Sequence, residues 1–256
     1  MSERLLLKIG GSVLTEKGRQ GAADTRAIAT IASEIAGHAE SSLCLVHGAG
    51  SFGHPEAHRY GLAKGADRNN RQGIALTHGA VCRLNQMMVE ALRDAGADAI
   101  GIHPLGSAWA RAGRLLTLET RPLQRLMDVG IIPVLHGDVV MDEVQGACIV
   151  SGDQIIRYLG GHLAFTRIGL ATDVPGVLTP EGGVINEIPA GVSPEALAGS
   201  SGHMDVTGGM AGKVRELQEL ASLGVPSEIF HISRLSDFMD SRPCGGTRVG
   251  GGRLRG

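Results

Sequence analysis

Two glycine corners carry the residues best suited to chemistry: Lys8-Ile9-Gly10-Gly11-Ser12, and His47-Gly48-Ala49-Gly50-Ser51-Phe52-Gly53-His54. Each follows an apolar run that reads as a strand. A strand that delivers glycines into a turn brings bare backbone N–H groups against phosphate, because no Cβ blocks the approach. Two corners suggest two phosphates. Lys8 adjoins the first corner and Lys17 lies five residues past Ser12, an arrangement suited to a migrating phosphoryl group whose charge spreads over its equatorial oxygens. The plainer alternative has Lys8 snorkelling at a strand end and Lys17 solvated. His54, directly after three glycines, can donate an N–H to an anionic ligand, whereas His47 ends a strand and reads as structural.

Three further places repeat this chemistry. Asp153, in Ser151-Gly152-Asp153, stands at an expected helix start, where its charge either suits the helix dipole or orients Lys8 and Lys17 or lies near Mg²⁺. Asp173, in Thr172-Asp173-Val174-Pro175-Gly176-Val177, follows a strand at the end where open α/β sheets bind ligands. Gly208-Gly209-Met210 with Lys213 sets N–H groups and a cation at a helix start, a seat for a nucleotide phosphate. Singly these signals are weak; their order along the chain is specific. There is no GxxxxGK[ST], no GxGxxG in a Rossmann setting and no GxSxG elbow. Neither HExxH nor a clustered Cys/His set argues for zinc, so no metal-ligating residue is assigned.

The elements that must position these residues follow from periodicity. Apolar runs of four to seven residues alternate with segments of helical period, the pattern of an α/β protein with a mostly parallel sheet. Strands are expected at 5–9, 43–47, 99–103, 131–135, 164–171 and 228–232, with a hairpin from 139–141 and 147–150. Helices are expected at about 24–36, 72–95, 122–129, 151–159 and 207–223. In the second of these, Leu76, Ala80, Leu84, Met87, Met88 and Leu92 form the core stripe. The polar, glycine-spaced stretch 55–70 reads as a long loop. The best candidate boundary lies around 160–165, where Gly160-Gly161 is expected to separate a helix from a new strand.

Composition narrows the class. Of 256 residues 43% are hydrophobic and only 3% aromatic, so the core is aliphatic. A net charge of −2 offers no basic field for nucleic acid. Neither a signal peptide nor a run of ~20 apolar residues is found, so no membrane partner and a cytoplasmic location are expected. Cys44, Cys82, Cys148 and Cys244 are far apart and read as buried free thiols.

Lys8-Ile9-Gly10-Gly11-Ser12, the corner after the second strand, the turn from Thr172 to Val177, and Thr207-Gly208-Gly209-Met210 with Lys213 resemble the amino acid kinase superfamily over nearly the whole chain. Within it, His47 to Pro55, Gly137-Asp138-Val139-Val140, Ile149 to Gln154 and Asp205 to Met210 look like the archaeal-type isopentenyl phosphate kinase family. The resemblance implies an α/β fold, a three-layer αβα sandwich around an open, mostly parallel sheet. It implies one domain over 1–256, with a substrate-binding lobe at about 1–162, a nucleotide-binding lobe at about 163–249 and a tail at 250–256. It also implies a homodimer, ATP and Mg²⁺ as cofactors, and a small alkyl phosphate as partner. The reaction implied is transfer of the γ-phosphoryl of ATP to isopentenyl phosphate, giving isopentenyl diphosphate in isoprenoid synthesis by the alternative mevalonate pathway.

Carried over by position, Lys8, Gly10, Gly11 and Ser12 would hold ATP phosphates, Lys17 would stabilise the transferring group, and Asp173, Gly209 and Lys213 would serve the nucleotide. Ala49, His54, Gly152 and Asp153 would serve the acceptor, with Gly50 between the two phosphates and Lys8, Lys17 and His54 catalytic. Ile74, Leu76, Val81 and Met87 are candidates for the apolar tail pocket. Pro175 departs from the family, where Asp is common. Competing readings are a fosfomycin kinase, an acetylglutamate- or glutamate-type kinase, and a nucleotide-binding protein without turnover.

Overall fold

The computed structural model describes residues 3–16, 18–38, 42–179, 181–192 and 208–250. Along the chain lie β1 (Arg4–Ile9), α1 (Gly11–Leu14), α2 (Thr25–Ala36), β2 (Ser42–His47), α3 (Gly50–Arg59), α4 (Gln72–Asp94) and β3 (Ala99–Gly101). There follow the hairpin β4 (Ala108–Arg111) and β5 (Arg114–Leu118), α5 (Arg121–Asp128), β6 (Ile132–His136), the hairpin β7 (Asp138–Asp142) and β8 (Gly146–Val150), and α6 (Gly152–His162). The last are β9 (Arg167–Thr172), β10 (Glu187–Ile188), α7 (Gly208–Ser222), β11 (Ser227–His231), α8 (Leu235–Met239) and β12 (Thr247–Val249).

Eight strands form one sheet in the order β10-β12-β11-β9-β1-β2-β6-β3, parallel from β11 to β3 and reversed at β12. Both faces are covered, which is why its strands read as unbroken apolar runs rather than alternating ones. Leu5, Leu7 and Ile9 of β1 pack with α2, α4 and α8, while Leu6 packs with α5, α6 and α7. That is the three-layer αβα sandwich. Lys8 shares the parity of Leu6 and so points to the α6 side. The two hairpins form a second sheet in the order β5-β4-β7-β8. Among the described residues no helix is long and apolar enough to cross a membrane.

Three local expectations need correction. The stretch 55–70 is no simple loop: α3 continues through Arg59, and a 3₁₀ turn spans Leu62–Lys64. The second glycine corner therefore opens a helix, and His54 lies on that helix. Pro55, inside α3, has no N–H for the Ser51 carbonyl, which accepts instead from Gly21 N at 3.0 Å. Gly160-Gly161 does not break α6. It lies within the helix, and a Cβ on Gly160 would stand 2.7 Å from Ile168 Cδ1 and 3.0 Å from Leu220 Cδ2, so the glycine serves close packing. On α4, Ala80, Leu84, Met88 and Leu92 are buried, but Leu76 and Met87 are exposed and the buried face instead takes in Thr77, Val81, Asn85 and Val89.

Candidate functional site

The chain crosses the sheet from β1 outward in both directions, to β2 on one side and to β9 on the other. Loops at the carboxyl ends of strands diverge at such a point and leave a crevice. Gly10 follows β1, Gly48 follows β2, Gly137 follows β6 and Asp173 follows β9. The two glycine corners meet there. A Cβ on Gly11 would lie 2.3 Å from Gly50 N, and one on Gly48 would lie 2.6 Å from Gly11 N. Gly50 itself has φ +50° with the Gly11 carbonyl where its side chain would start. Thr15 ties the corners together, donating to the Gly11 carbonyl and accepting from Ser51 N.

Over these corners opens a cavity of about 680 Å³. Its wall includes Lys8, Gly10, Gly11 and Ser12 from the first corner and Ala49, Gly50 and His54 from the second. Gly152, Asp153, Asp173, Gly209 and Lys213 complete the set anticipated from the sequence. Lys17 is the exception, lying outside the described residues, as do Thr207 and the stretch 251–256. Lys8 is buried and its ammonium lies 2.5 Å from Asp153 Oδ1. Gly152 gives that ammonium room, since a Cβ there would touch Lys8 Cε at 3.1 Å. Ser12 donates to Asp173 Oδ1 at 3.1 Å. Burial and the nearby charge of Lys8 lower the pKa of Lys213, so the two cations face one space.

The wall has further members beyond that set. Ser51 and Thr77 reach the cavity with buried hydroxyls that have no partner among the described residues, so each is available to a ligand. Val81 and Ile149 supply apolar wall; of the expected tail-pocket residues only Val81 lines the cavity, while Ile74 packs against Leu62, Val139 and Ala147. Asp138, also on the wall, accepts from His78 Nδ1 at 3.0 Å, and that bond raises the pKa of His78.

His47 is structural: it is fully buried, Asn85 donates to its Nε2, and burial pushes it down to about 4. His136 stacks beside it and burial pushes it down to about 3. Cys44, Cys148 and Cys244 are buried free thiols as anticipated, but Cys82 is only half-buried and lies among His78, His103 and His136. Those residues are too scattered in sequence to show any ligand spacing.

A sequence model of the Amino acid kinase family matches residues 3–231. The chain belongs to this family. This amino acid kinase is 39% identical over 236 residues to isopentenyl phosphate kinase from Haloferax volcanii, a match covering 92% of this chain and 94% of that one. It is 37% identical to isopentenyl phosphate kinase from Methanothermobacter thermautotrophicus, covering 98% and 99%. A solved structure of isopentenyl phosphate kinase superposes with a TM-score of 0.86 at 34% identity, covering 96% of this amino acid kinase and all of the other chain.

Proposed function

We infer that this kinase transfers the γ-phosphoryl group of ATP to isopentenyl phosphate, giving isopentenyl diphosphate and ADP. The observation that carries the reading is the contact between the two glycine corners inside one cavity that also holds Lys8, Lys213 and His54. Two phosphates can approach there with only backbone between them, and Gly50 stands at the junction. Val81 and Ile149 in the same wall suit a short apolar tail better than the carboxylate of an acetylglutamate-type acceptor.

In the transfer, a phosphate oxygen of the acceptor attacks the γ-phosphorus, that P–O bond forms, and the bond to the β-phosphate's bridging oxygen breaks with its electrons leaving on ADP. No strong base is needed, because a phosphate monoester oxygen is already anionic near neutral pH. Catalysis is then positioning and charge stabilisation. Gly10, Gly11 and Ser12 present the first corner to ATP; Asp173, Gly209 and Lys213 hold the nucleotide; Ala49, His54 and Gly152 hold the acceptor phosphate. Lys8, oriented by Asp153, faces the group in flight, and Lys17 is assigned the same task from the resemblance. Mg²⁺ favours carboxylate and phosphate oxygens with several waters. Asp153 and Asp173 on the wall offer donors of that class and would hold it beside the phosphates of ATP. When bound it supplies neutralisation of β- and γ-oxygen charge.

In this reading the lobe up to about residue 162 holds the acceptor and also lends the first glycine corner to ATP, and the lobe from about 163 holds the nucleotide. Pairing into a homodimer and a cytoplasmic location belong to the same proposal, and sedimentation of the purified chain tests the first. The reaction is tested by ATP consumption with isopentenyl phosphate, dimethylallyl phosphate, fosfomycin, acetylglutamate and UMP in parallel. Turnover on the first two supports it, and silence on both sinks it.

A further inference from the structure

We propose that Cys82, His103 and His136 form a binding site for a thiophilic divalent metal ion of the Zn²⁺ class, set behind the acceptor end of the cavity. Cys82 comes from α4, His103 from just past β3, and His136 from the end of β6. One donor atom from each, the Cys82 sulfur and one ring nitrogen of each histidine, lies within 4.8 Å of the other two.

The edges of this triangle are close to those of a coordination sphere. Tetrahedral Zn²⁺ with Zn–S of about 2.3 Å and Zn–N of about 2.0–2.1 Å spaces a sulfur and a nitrogen roughly 3.5 Å apart and two nitrogens roughly 3.3 Å apart. Cys82 Sγ stands 3.5 Å from His103 Nδ1. His103 Nδ1 stands 2.8 Å from His136 Nε2, a hydrogen bond that opens by about half an ångström when a metal replaces its proton. The exposed ring of His103 is free to make that movement, while the buried ring of His136 stays.

The surroundings favour the ligand form of His136. His136 Nδ1 lies 3.1 Å from the Gly137 carbonyl, which can only accept, so the proton sits on Nδ1 and Nε2 turns its lone pair to the cluster. A backbone carbonyl or a carboxylate on the far nitrogen is the usual outer support of a metal-bound histidine. His78 has the same support from Asp138, and its Nε2 lies 3.4 Å from Cys82 Sγ, placed to carry the displaced thiol proton to solvent. Binding forms one metal–thiolate and two metal–imidazole bonds, moves the His103 proton from Nδ1 to Nε2 by exchange with solvent, releases the thiol proton, and leaves one position for water. Thiolate with imidazole selects Zn²⁺ over the Mg²⁺ that a kinase uses, so the two ions do not compete. The occupied site would clip α4, which carries Thr77 and Val81 of the cavity wall, to the sheet.

The test uses the untagged full-length chain, stripped with chelator and dialysed against micromolar Zn²⁺ in excess Mg²⁺, with Co²⁺ as a spectroscopic probe. Expected are one Zn²⁺ per chain, a thiolate-to-Co²⁺ charge-transfer band, and a melting temperature raised by Zn²⁺. Cys82→Ser and His103→Gln each weaken binding at least about 100-fold, since loss of an outer partner alone costs 10–100-fold. Circular dichroism and retained kinase turnover establish that the variants are folded; if neither folds, the wild-type cobalt spectrum decides. Wild-type chain without stoichiometric Zn²⁺, a Co²⁺ complex without the sulfur band, or folded variants binding as tightly as wild type would each overturn the proposal.

Discussion

Lys8, a residue only 4% exposed, holds its ammonium 2.5 Å from Asp153, so one carboxylate matches its charge. Removing one partner of such a pair typically costs about 3–5 kcal/mol, because the other is left buried and uncompensated. Lys8→Met should therefore lower both turnover and the urea midpoint. The double variant Lys8→Met, Asp153→Asn should recover most of the midpoint and none of the turnover, and recovery of both would remove Lys8 from the chemistry. His54 makes the contrast. It is exposed on α3, so His54→Ala should leave the melting temperature nearly unchanged. A hydrogen bond to a charged group contributes about 1.5–3 kcal/mol, so KM for isopentenyl phosphate should rise roughly 10- to 100-fold; an unaltered KM would make the residue incidental. Both residues were legible in the sequence because each adjoins a glycine corner at the end of an apolar run. Thr77 and the His78–Asp138 pair were not, since Thr77 meets the corners only where α3 packs on α4 and 60 residues separate the members of the pair.

At the scale of elements, what went unread is where local chemistry disguises itself. Glycines and Pro55 argue against a helix by propensity, yet α3 forms because its carbonyl orphaned by proline finds Gly21 and because Gly53 lets it lie close to Val81. The β4–β5 hairpin escaped notice for a similar reason. Its turn is Ala112-Gly113 with both residues at positive φ, a conformation normally announced by Asn-Gly or Asp-Gly. Asp142, 30 residues on, stabilises it by accepting from Ala112 N and Gly113 N. Gly169 in β9 sets propensity against packing in a measurable way. Strand propensity predicts that any side chain improves on glycine. A Cβ there would stand 2.5 Å from Phe238 Cε2 and 2.8 Å from Phe230 Cε1, inside a stacked ring pair. Gly169→Ala should lower stability by roughly 1–3 kcal/mol, seen as a lower urea midpoint at constant m-value; a raised midpoint would mean that the rings yield without cost.

Across the whole molecule, the αβα layering was legible because strands buried on both faces leave unbroken apolar runs, whereas the second sheet was only half seen because Trp109 and Leu116 face outward. Burial on both faces also fixes the response to acid. His47 and His136 end neighbouring central strands, and burial pushes them down to about 4 and about 3. Unfolding returns each to an ordinary value of about 6.5. Below that value the unfolded chain binds protons that the native chain refuses, so their stabilisation is complete above about pH 6.5 and is lost as pH falls toward the native values. His103 is lowered by burial and adds to the effect. His78, raised by its bond to Asp138, is protonated in both states near pH 5 and does not offset it. Unfolding near pH 5 should therefore take up about two protons per chain from the rings, partly offset by Glu228, whose carboxyl burial raises so that the native chain protonates it first. Urea unfolding at pH 6.5, 5.75 and 5.0, with chelator present to keep the cysteine–histidine cluster free of metal, measures that slope. A midpoint independent of pH over this interval would show that the two rings are protonated in the native chain, and that the space between the central strands and α4 is open to water.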